Sequence, residues 1–211
     1  LVIIRNDFDH FVANMEPPMT GDDLKMVQEA FELALEAHKY QRRKSGEPYI
    51  HHPVEVAKIC FNEIGLGATS VTSALLHDVV EDTEVKLDEI TYRFGNKIGK
   101  IVDGLTKLDG LYNVESPQAE NYKKVLSTLV YDVRVVLIKM ADRLHNLRTI
   151  GSMVRHKQLR IAAETNYIYV PLAHRLGLYN IKKEFEDIIF MISEPKKYEE
   201  ISTKLKDCLL Y

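Results

Sequence analysis

The stretch VRVVLIKMADRLHNLRTI, Val133 to Ile150, decides the fold. Its opening VRVVLI has the β-branched, apolar character of a buried strand. The remainder argues against that reading. Asp142, Asn146 and Thr149 recur at steps of four and three, which gathers them on one helix face but would scatter them over both faces of a strand. The most apolar segment of the chain is therefore a helix, and nothing else competes for a strand.

The rest of the chain follows the same period. In the segment from Gly21 to Gln41, Leu24, Val27, Phe31, Ala34, Leu35 and His38 fall at helical spacing and form an inward stripe that His38 ends. HHPVEVAKICF predicts a helix start with Pro53 at its first position, where a missing N–H costs nothing. Further helices are predicted over Thr69–Val80, over Leu87–Phe94 with Gly95 as a left-handed cap, and over Lys97–Leu108. DGLYNVESPQ reads as a loop, and Ser116-Pro117 opens a helix carrying Tyr122, Val125, Leu126, Leu129 and Val130. After the deciding stretch come a segment containing Pro171, a helix over IKKEFEDIIFMI and a capped start at SEPKKYEEI. The fold class is all-α, without internal repeat or low-complexity linker.

Composition narrows the partners. A chain of 211 residues with 45% hydrophobic residues can fill a real core. A net charge of −3 makes no field that would favour DNA, RNA or a membrane surface, so an anionic ligand needs a local basic cluster. No apolar run approaches the roughly 20 residues of a membrane span. Cys60 and Cys208 are too few for a disulfide framework or thiolate site, which fits a reducing, cytoplasmic setting.

The polar residues in apolar company carry the chemistry. In ALLHDVVED, Ala74 to Asp82, a continuous helix at about 100° per residue would put His77, Asp78, Glu81 and Asp82 within an arc of about 140°. Alone, the string admits both an exposed acidic helix end and a metal site. Buried carboxylates cost several kcal/mol unless paired. Asp142 repeats the oddity at the end of another apolar run, with Asn146 one turn further, and His52 stands at a helix mouth beside a less suitably aimed His51. His52, His77, Asp78 and Asp142 together offer two imidazoles and two carboxylates without thiolate. That set suits a hard or borderline divalent ion such as manganese better than structural zinc, and admits iron, cobalt or magnesium as well. Glu81 and Asp82 could move a proton or orient a nucleophile beside such an ion. QRRKSGEPYI, Gln41 to Ile50, reads either as a solvated basic loop or as a phosphate-binding one. Alone it favours the first, and its place ten residues before His52 strengthens the second.

The ordered blocks RKSGEPYIHHP, ALLHDVVEDT, FGNKIGKIVDGLTKL, KMADRLHNLRT and PLAHRLGLYNIKKEFED closely resemble the amino-terminal hydrolase domain of the RelA/SpoT homologues, within the HD metal-dependent phosphohydrolases. The resemblance runs from about Gly21 onward. It implies a helical domain of about ten helices around a central metal site. The implied activity is manganese-dependent removal of the 3′-pyrophosphate from the alarmones ppGpp and pppGpp in the stringent response. On the family pattern His52, His77, Asp78 and Asp142 hold the metal, and Glu81 and Asp82 are the catalytic acids. Arg43, Lys44 and Ser45 match the loop that binds base and phosphates, Asn146 a nucleotide contact, and Arg148 and Thr149 further candidates for that pocket. Two-metal relatives draw extra histidines from between the His-Asp pair and the last aspartate; residues 79–141 contain none, which implies one ion. The retained His-Asp pair implies activity, since members that lost it do not hydrolyse alarmone.

The same resemblance implies an N-terminal segment at 1–20, a hydrolase domain at 21–175 and a helical extension at 176–211 leading toward a synthetase domain. The chain is thereby expected to be a fragment of a bifunctional enzyme with synthetase and regulatory domains. Two other readings stand beside it. An HD phosphohydrolase for another nucleotide keeps the metal residues but leaves the basic loop unexplained, and a catalytically silent alarmone-sensing module leaves the intact acid set without use.

Overall fold

The computed structural model describes residues 2–112 and 132–209, and among them it holds helices and no strand. The all-helical expectation holds. The helix predicted after Ser116-Pro117 lies outside the described residues. The chain divides into two compact units, Leu1–Asp142 and Arg143–Tyr211.

In the first unit, α1 (Val2–Ala13) docks through Phe8, which stacks on Phe31 at 3.9 Å, and through Asp7, which accepts a 2.6 Å bond from Lys58 Nζ. α2 (Gly21–Ala37) buries Val27, Ala30, Phe31, Ala34 and Leu35, the stripe expected from spacing, and its first turn carries Asp22 and Asp23 against the positive helix end. α3 (His51–Lys58) continues into a π-helical turn, Ile59–Glu63. It opens two residues earlier than the sequence suggests. Pro53 is its third residue, still within the first turn whose N–H groups have no intrahelical acceptor.

α4 (Ala68–Leu75) is buried on nearly all sides, from Ala68 through Ser70, Val71, Thr72, Ser73, Ala74 and Leu75. Its small residues let α2, α3 and α7 pack closely around it. The helix predicted to run on to Val80 stops here. Leu76 and Asp78 adopt φ −101°, ψ 1° and φ −100°, ψ −4° before a single turn, α5 (Val79–Asp82). α6 (Leu87–Phe94) ends at Gly95, whose φ of +86° and ψ of 163° is a glycine conformation but not the left-handed helical cap expected. α7 (Asn96–Tyr112) extends four residues beyond its predicted end, taking in the DGLY predicted as loop. Gly99 and Gly104 permit its close contacts. A Cβ on Gly104 would lie 3.0 Å from Val135 Cγ2 of α8 (Val133–Arg148), and a Cβ on Gly99 would run into the Thr91 hydroxyl.

α8 is the helix argued from Asp142, Asn146 and Thr149, and it buries Val135, Val136, Ile138, Met140, Ala141 and Leu144. In the second unit, α9 (Arg155–Glu164) passes through a π-helical turn, Thr165–Tyr169, into α10 (Val170–Arg175). The turn ends two residues before Pro171, whose ring has no N–H for the helical ladder. Gly177 closes the run: its N–H bonds His174 O at 3.2 Å and that of Leu178 bonds Ala173 O at 2.9 Å, with φ +74° at the glycine. α11 (Tyr179–Ser193) buries Ile181, Phe185, Ile189 and Ile192, and α12 (Pro195–Leu209) follows. Ser193, expected to cap α12, is the last residue of α11, so Pro195 opens the new helix instead.

Candidate metal centre

Two helix ends and the body of α8 meet at four side chains of the first unit. His52 is the second residue of α3, His77 and Asp78 lie in the break after α4, and Asp142 projects from α8. His52 Nε2 is 3.1 Å from Asp142 Oδ1 and 3.7 Å from Asp78 Oδ2; His77 Nε2 is 3.0 Å from Asp78 Oδ2 and 4.0 Å from Asp142 Oδ1. Both imidazoles are buried. Among the described residues, His52, His77 and Asp78 bring one ligand atom each within 4.8 Å of one another, and Asp142 borders the same space.

The break in ALLHDVVED carries a local bond. His77 Nδ1 lies 2.7 Å from Ala74 O, and a carbonyl only accepts, so Nδ1 carries the proton. The imidazole thus caps a carbonyl at the point where the α4 ladder ends. The other ring nitrogen then has a lone pair. Nε2 is buried and makes no hydrogen bond, although Asp78 Oδ2 stands 3.0 Å away at an angle that is not one. Two lone pairs facing each other call for a cation between them, a proton or a metal ion. The donor set fits a divalent ion on this ground.

Electrostatics say the same. Burial alone would push His77 down, but Asp78 and Asp142 outweigh it and raise the imidazole to about 9. Burial lowers His52. Burial would push both carboxyls up, yet His77 and His52 hold Asp78 well below the usual carboxylate range, and Lys139 with His52 and His77 does so for Asp142. Lys139, itself buried, donates from Nζ to Asp142 Oδ2 at 3.1 Å, on the side of the carboxylate away from His52.

The two further acids sit on α5 and are exposed. Because the helix is broken, they do not continue the arc of His77 and Asp78 on one cylinder. Asp82 is brought back by Tyr49, whose hydroxyl lies 2.6 Å from Asp78 Oδ2 and 3.0 Å from Asp82 Oδ2. Burial, together with the two carboxylates, raises the phenol far above its ordinary value, so it stays protonated.

The basic loop is a compact turn between α2 and α3. Gly46 N bonds Arg43 O at 2.9 Å, so Lys44 and Ser45 occupy its two central positions, and Gly46 has φ +90°. Arg43 N bonds Glu47 O at 2.9 Å and Tyr49 N bonds Gln41 O at 3.0 Å, closing the base of the loop. Arg42 Nη1 donates to Gly46 O at 2.9 Å and Ser45 Oγ to Glu47 Oε1 at 3.0 Å. Arg43 is half-buried, and Lys44 and Ser45 are exposed. His51 Nδ1 is 3.9 Å from Glu47 Oε2, pointing to the loop rather than the ligand cluster.

The remaining candidates belong to the second unit. Asn146 follows Asp142 by one turn of α8 and is half-buried. Arg148 makes a two-pronged pair with Glu184, Nε to Oε1 at 2.6 Å and Nη2 to Oε2 at 2.7 Å, and Thr149 Oγ1 donates to His145 O at 2.9 Å. Sequence reasoning missed Tyr49 and Lys139. Each stands three residues before a candidate ligand, His52 and Asp142, and that spacing was the available signal.

A model of the HD domain matches residues 30–179. The chain is 44% identical over 181 residues to a guanosine-3′,5′-bis(diphosphate) 3′-pyrophosphohydrolase of Aquifex aeolicus, covering 86% of this chain and 26% of that protein. It is 45% identical over 187 residues to the bifunctional (p)ppGpp synthase/hydrolase SpoT of Escherichia coli, covering 88% and 26%. To a probable GTP pyrophosphokinase of Mycobacterium leprae it is 47% identical over 179 residues, covering 85% and 23%. The chain thus spans about a quarter of the length of these curated relatives. Among solved structures, that of a metazoan orthologue of SpoT that hydrolyses ppGpp superposes with a TM-score of 0.63 at 21% identity, over 83% of this chain and 98% of that one. At that identity the likeness speaks to the fold.

Proposed function

The chain belongs to the HD domain family, and from that premise we propose that it removes the 3′-pyrophosphate of ppGpp and pppGpp, releasing GDP or GTP and pyrophosphate. The observation that carries the reading is the buried, unbonded Nε2 of His77 facing Asp78, in a cluster completed by His52 and Asp142. These four would hold one divalent ion, manganese in this reading. When bound, such an ion supplies Lewis acidity and offsets phosphate charge.

The chain's own groups do the rest. Water adds to the phosphorus on the ribose 3′ oxygen, the bond between that phosphorus and oxygen breaks, and the oxygen takes a proton. Asp82, held by the Tyr49 hydroxyl, and Glu81 on the same turn of α5 accept the water's proton and return one to the leaving oxygen. Arg43 and Lys44 meet the phosphates and a guanidinium can also stack on the base, while the exposed Ser45 hydroxyl adds a donor. Asn146, Arg148 and Thr149 are assigned to the nucleotide in the same proposal. So are residues 21–175 as the hydrolase domain, with 1–20 preceding and 176–211 leading on. The setting is cytoplasmic, beside the synthetase and regulatory domains of a bifunctional enzyme. No helix among the described residues is long and apolar enough to cross a membrane.

Incubation with ppGpp, with and without manganese, tests the reading. GDP and pyrophosphate should appear, and their release should stop on chelation and in Asp78→Ala. Intact ppGpp with a folded, metal-loaded protein would sink it, and turnover of another nucleotide alone would redirect it.

A further inference from the structure

Tyr49 stands where the metal cluster, the acid pair and the basic loop meet. Its hydroxyl has one proton and two acceptors, Asp78 Oδ2 at 2.6 Å and Asp82 Oδ2 at 3.0 Å. Its carbonyl accepts from His52 N at 2.9 Å, its N–H donates to Gln41 O at 3.0 Å, and its ring stacks on His38 at 4.7 Å. Gln41, at the other end of the loop, donates from Nε2 to the Asp82 carbonyl at 2.6 Å and accepts from His38 Nδ1 at 2.6 Å. The loop that carries Arg43, Lys44 and Ser45 is thus fastened at both ends to Asp82. Asp82 is otherwise exposed, on a helix of one turn that cannot hold a side chain by itself.

We infer that Tyr49 and Gln41 are positioning residues: Tyr49 fixes the ligand Asp78 and the acid Asp82 relative to each other, and Gln41 ties the basic loop to the Asp82 backbone. The part concerning turnover rests on the hydrolase reading above. The part concerning Asp78 does not, since a hydrogen bond from Tyr49 orients the carboxylate toward the ion whatever the substrate. Partners that orient ligands in this way typically change metal affinity or activity about 10- to 100-fold when removed.

Tyr49→Phe keeps the ring on His38 and deletes only the hydroxyl. Manganese titration followed by electron paramagnetic resonance, without nucleotide, should show an affinity about tenfold lower. With saturating metal and ppGpp, kcat should fall at least about tenfold while KM stays within about threefold. Gln41→Leu should lower kcat and, by loosening the basic loop, raise KM, with manganese affinity unchanged because Gln41 reaches the acid only through its backbone. A Tyr49→Phe protein of unchanged melting temperature, with manganese affinity and kcat both within about twofold of the parent, overturns the inference. So does a rise in KM with kcat intact, which would make Tyr49 a substrate contact. If the parent leaves ppGpp untouched, the hydrolase reading fails and the manganese titration still decides the tie to Asp78. If Tyr49→Phe does not fold, Gln41→Leu carries the test, and parental kcat in that variant counts against the proposal.

Discussion

A lysine buried beside a carboxylate is sustained by what it neutralises. Lys139 Nζ lies 3.1 Å from Asp142 Oδ2, with its side chain 5% exposed. Lys139→Met removes that cation and weakens the offset of the Asp142 charge, so the metal-free protein should lose about 3 kcal/mol by chemical unfolding. Manganese should raise the melting temperature of this variant more than that of the parent, because the ion takes over the missing charge. An equal rise in both would count against it. His38 gives a second prediction. Its Nδ1 is committed to Gln41, its Nε2 is buried without a partner, and burial lowers its affinity for a proton, with Asp78 and Asp82 opposing that and His77 adding to it. A depressed folded-state value means that the unfolded chain takes the proton first. The stabilisation is present above the ordinary histidine value of about 6.5 and is lost as pH falls below it. On going from pH 7.5 to 5.5 the urea midpoint should therefore fall less in His38→Phe than in the parent; the further drop from His52 is opposed by His77, whose raised value gives stability that is lost as pH rises.

The residue scale also shows what the sequence made legible. His52, His77, Asp78 and Asp142 could be chosen because imidazoles and carboxylates are conspicuous in apolar helices, and the structure does bring all four together. Tyr49 and Lys139 could not be chosen on the same ground. A tyrosine in a loop and a lysine on a helix look ordinary until burial is known, and burial belongs to the folded state.

Among the elements, α7 offers a contest between two effects of known size. An alanine in a helix interior is favoured over glycine by about 1 kcal/mol, so Gly99→Ala would stabilise an isolated helix. Here the new Cβ would meet the Thr91 hydroxyl and sit 3.2 Å from Thr91 Cβ on α6. Overpacking of this kind costs about 1–3 kcal/mol and should win, giving a net fall in stability; a melting temperature at or above the parent's would show that α6 yields freely. The break after α4 illustrates why one boundary was misread. Leu75, Leu76 and Val79 are all fully buried, so the apolar pattern runs on without interruption. At the break the His77 side chain bonds Ala74 O, a contact of which periodicity carries no record.

At the scale of the molecule, the four proposed ligands all belong to the first of two units. An ion that binds only the folded protein adds about 2.7 kcal/mol at a hundred times its dissociation constant, which for a chain of this size is a rise of about 5–10 °C. Chelation should therefore lower the melting temperature by that order. Hydrogen exchange should locate the change in α3, α4 and the first half of α8, leaving α11 and α12 unaffected. Equal protection in both units would mean that they unfold as one.

The bond from His77 to Ala74 has a consequence for which ions the site accepts. A side chain pinned by its own helix cannot swing to follow a larger or smaller radius, and α4 beneath it is packed on nearly every side. In the proposed centre, adjustment would fall to the carboxylates of Asp78 and Asp142, each already held on one oxygen, by Tyr49 and by Lys139. Discrimination among divalent ions of similar charge would then be set by how far the Tyr49 and Lys139 bonds let those two carboxylates shift, with His77 as the fixed point from which the radius is measured.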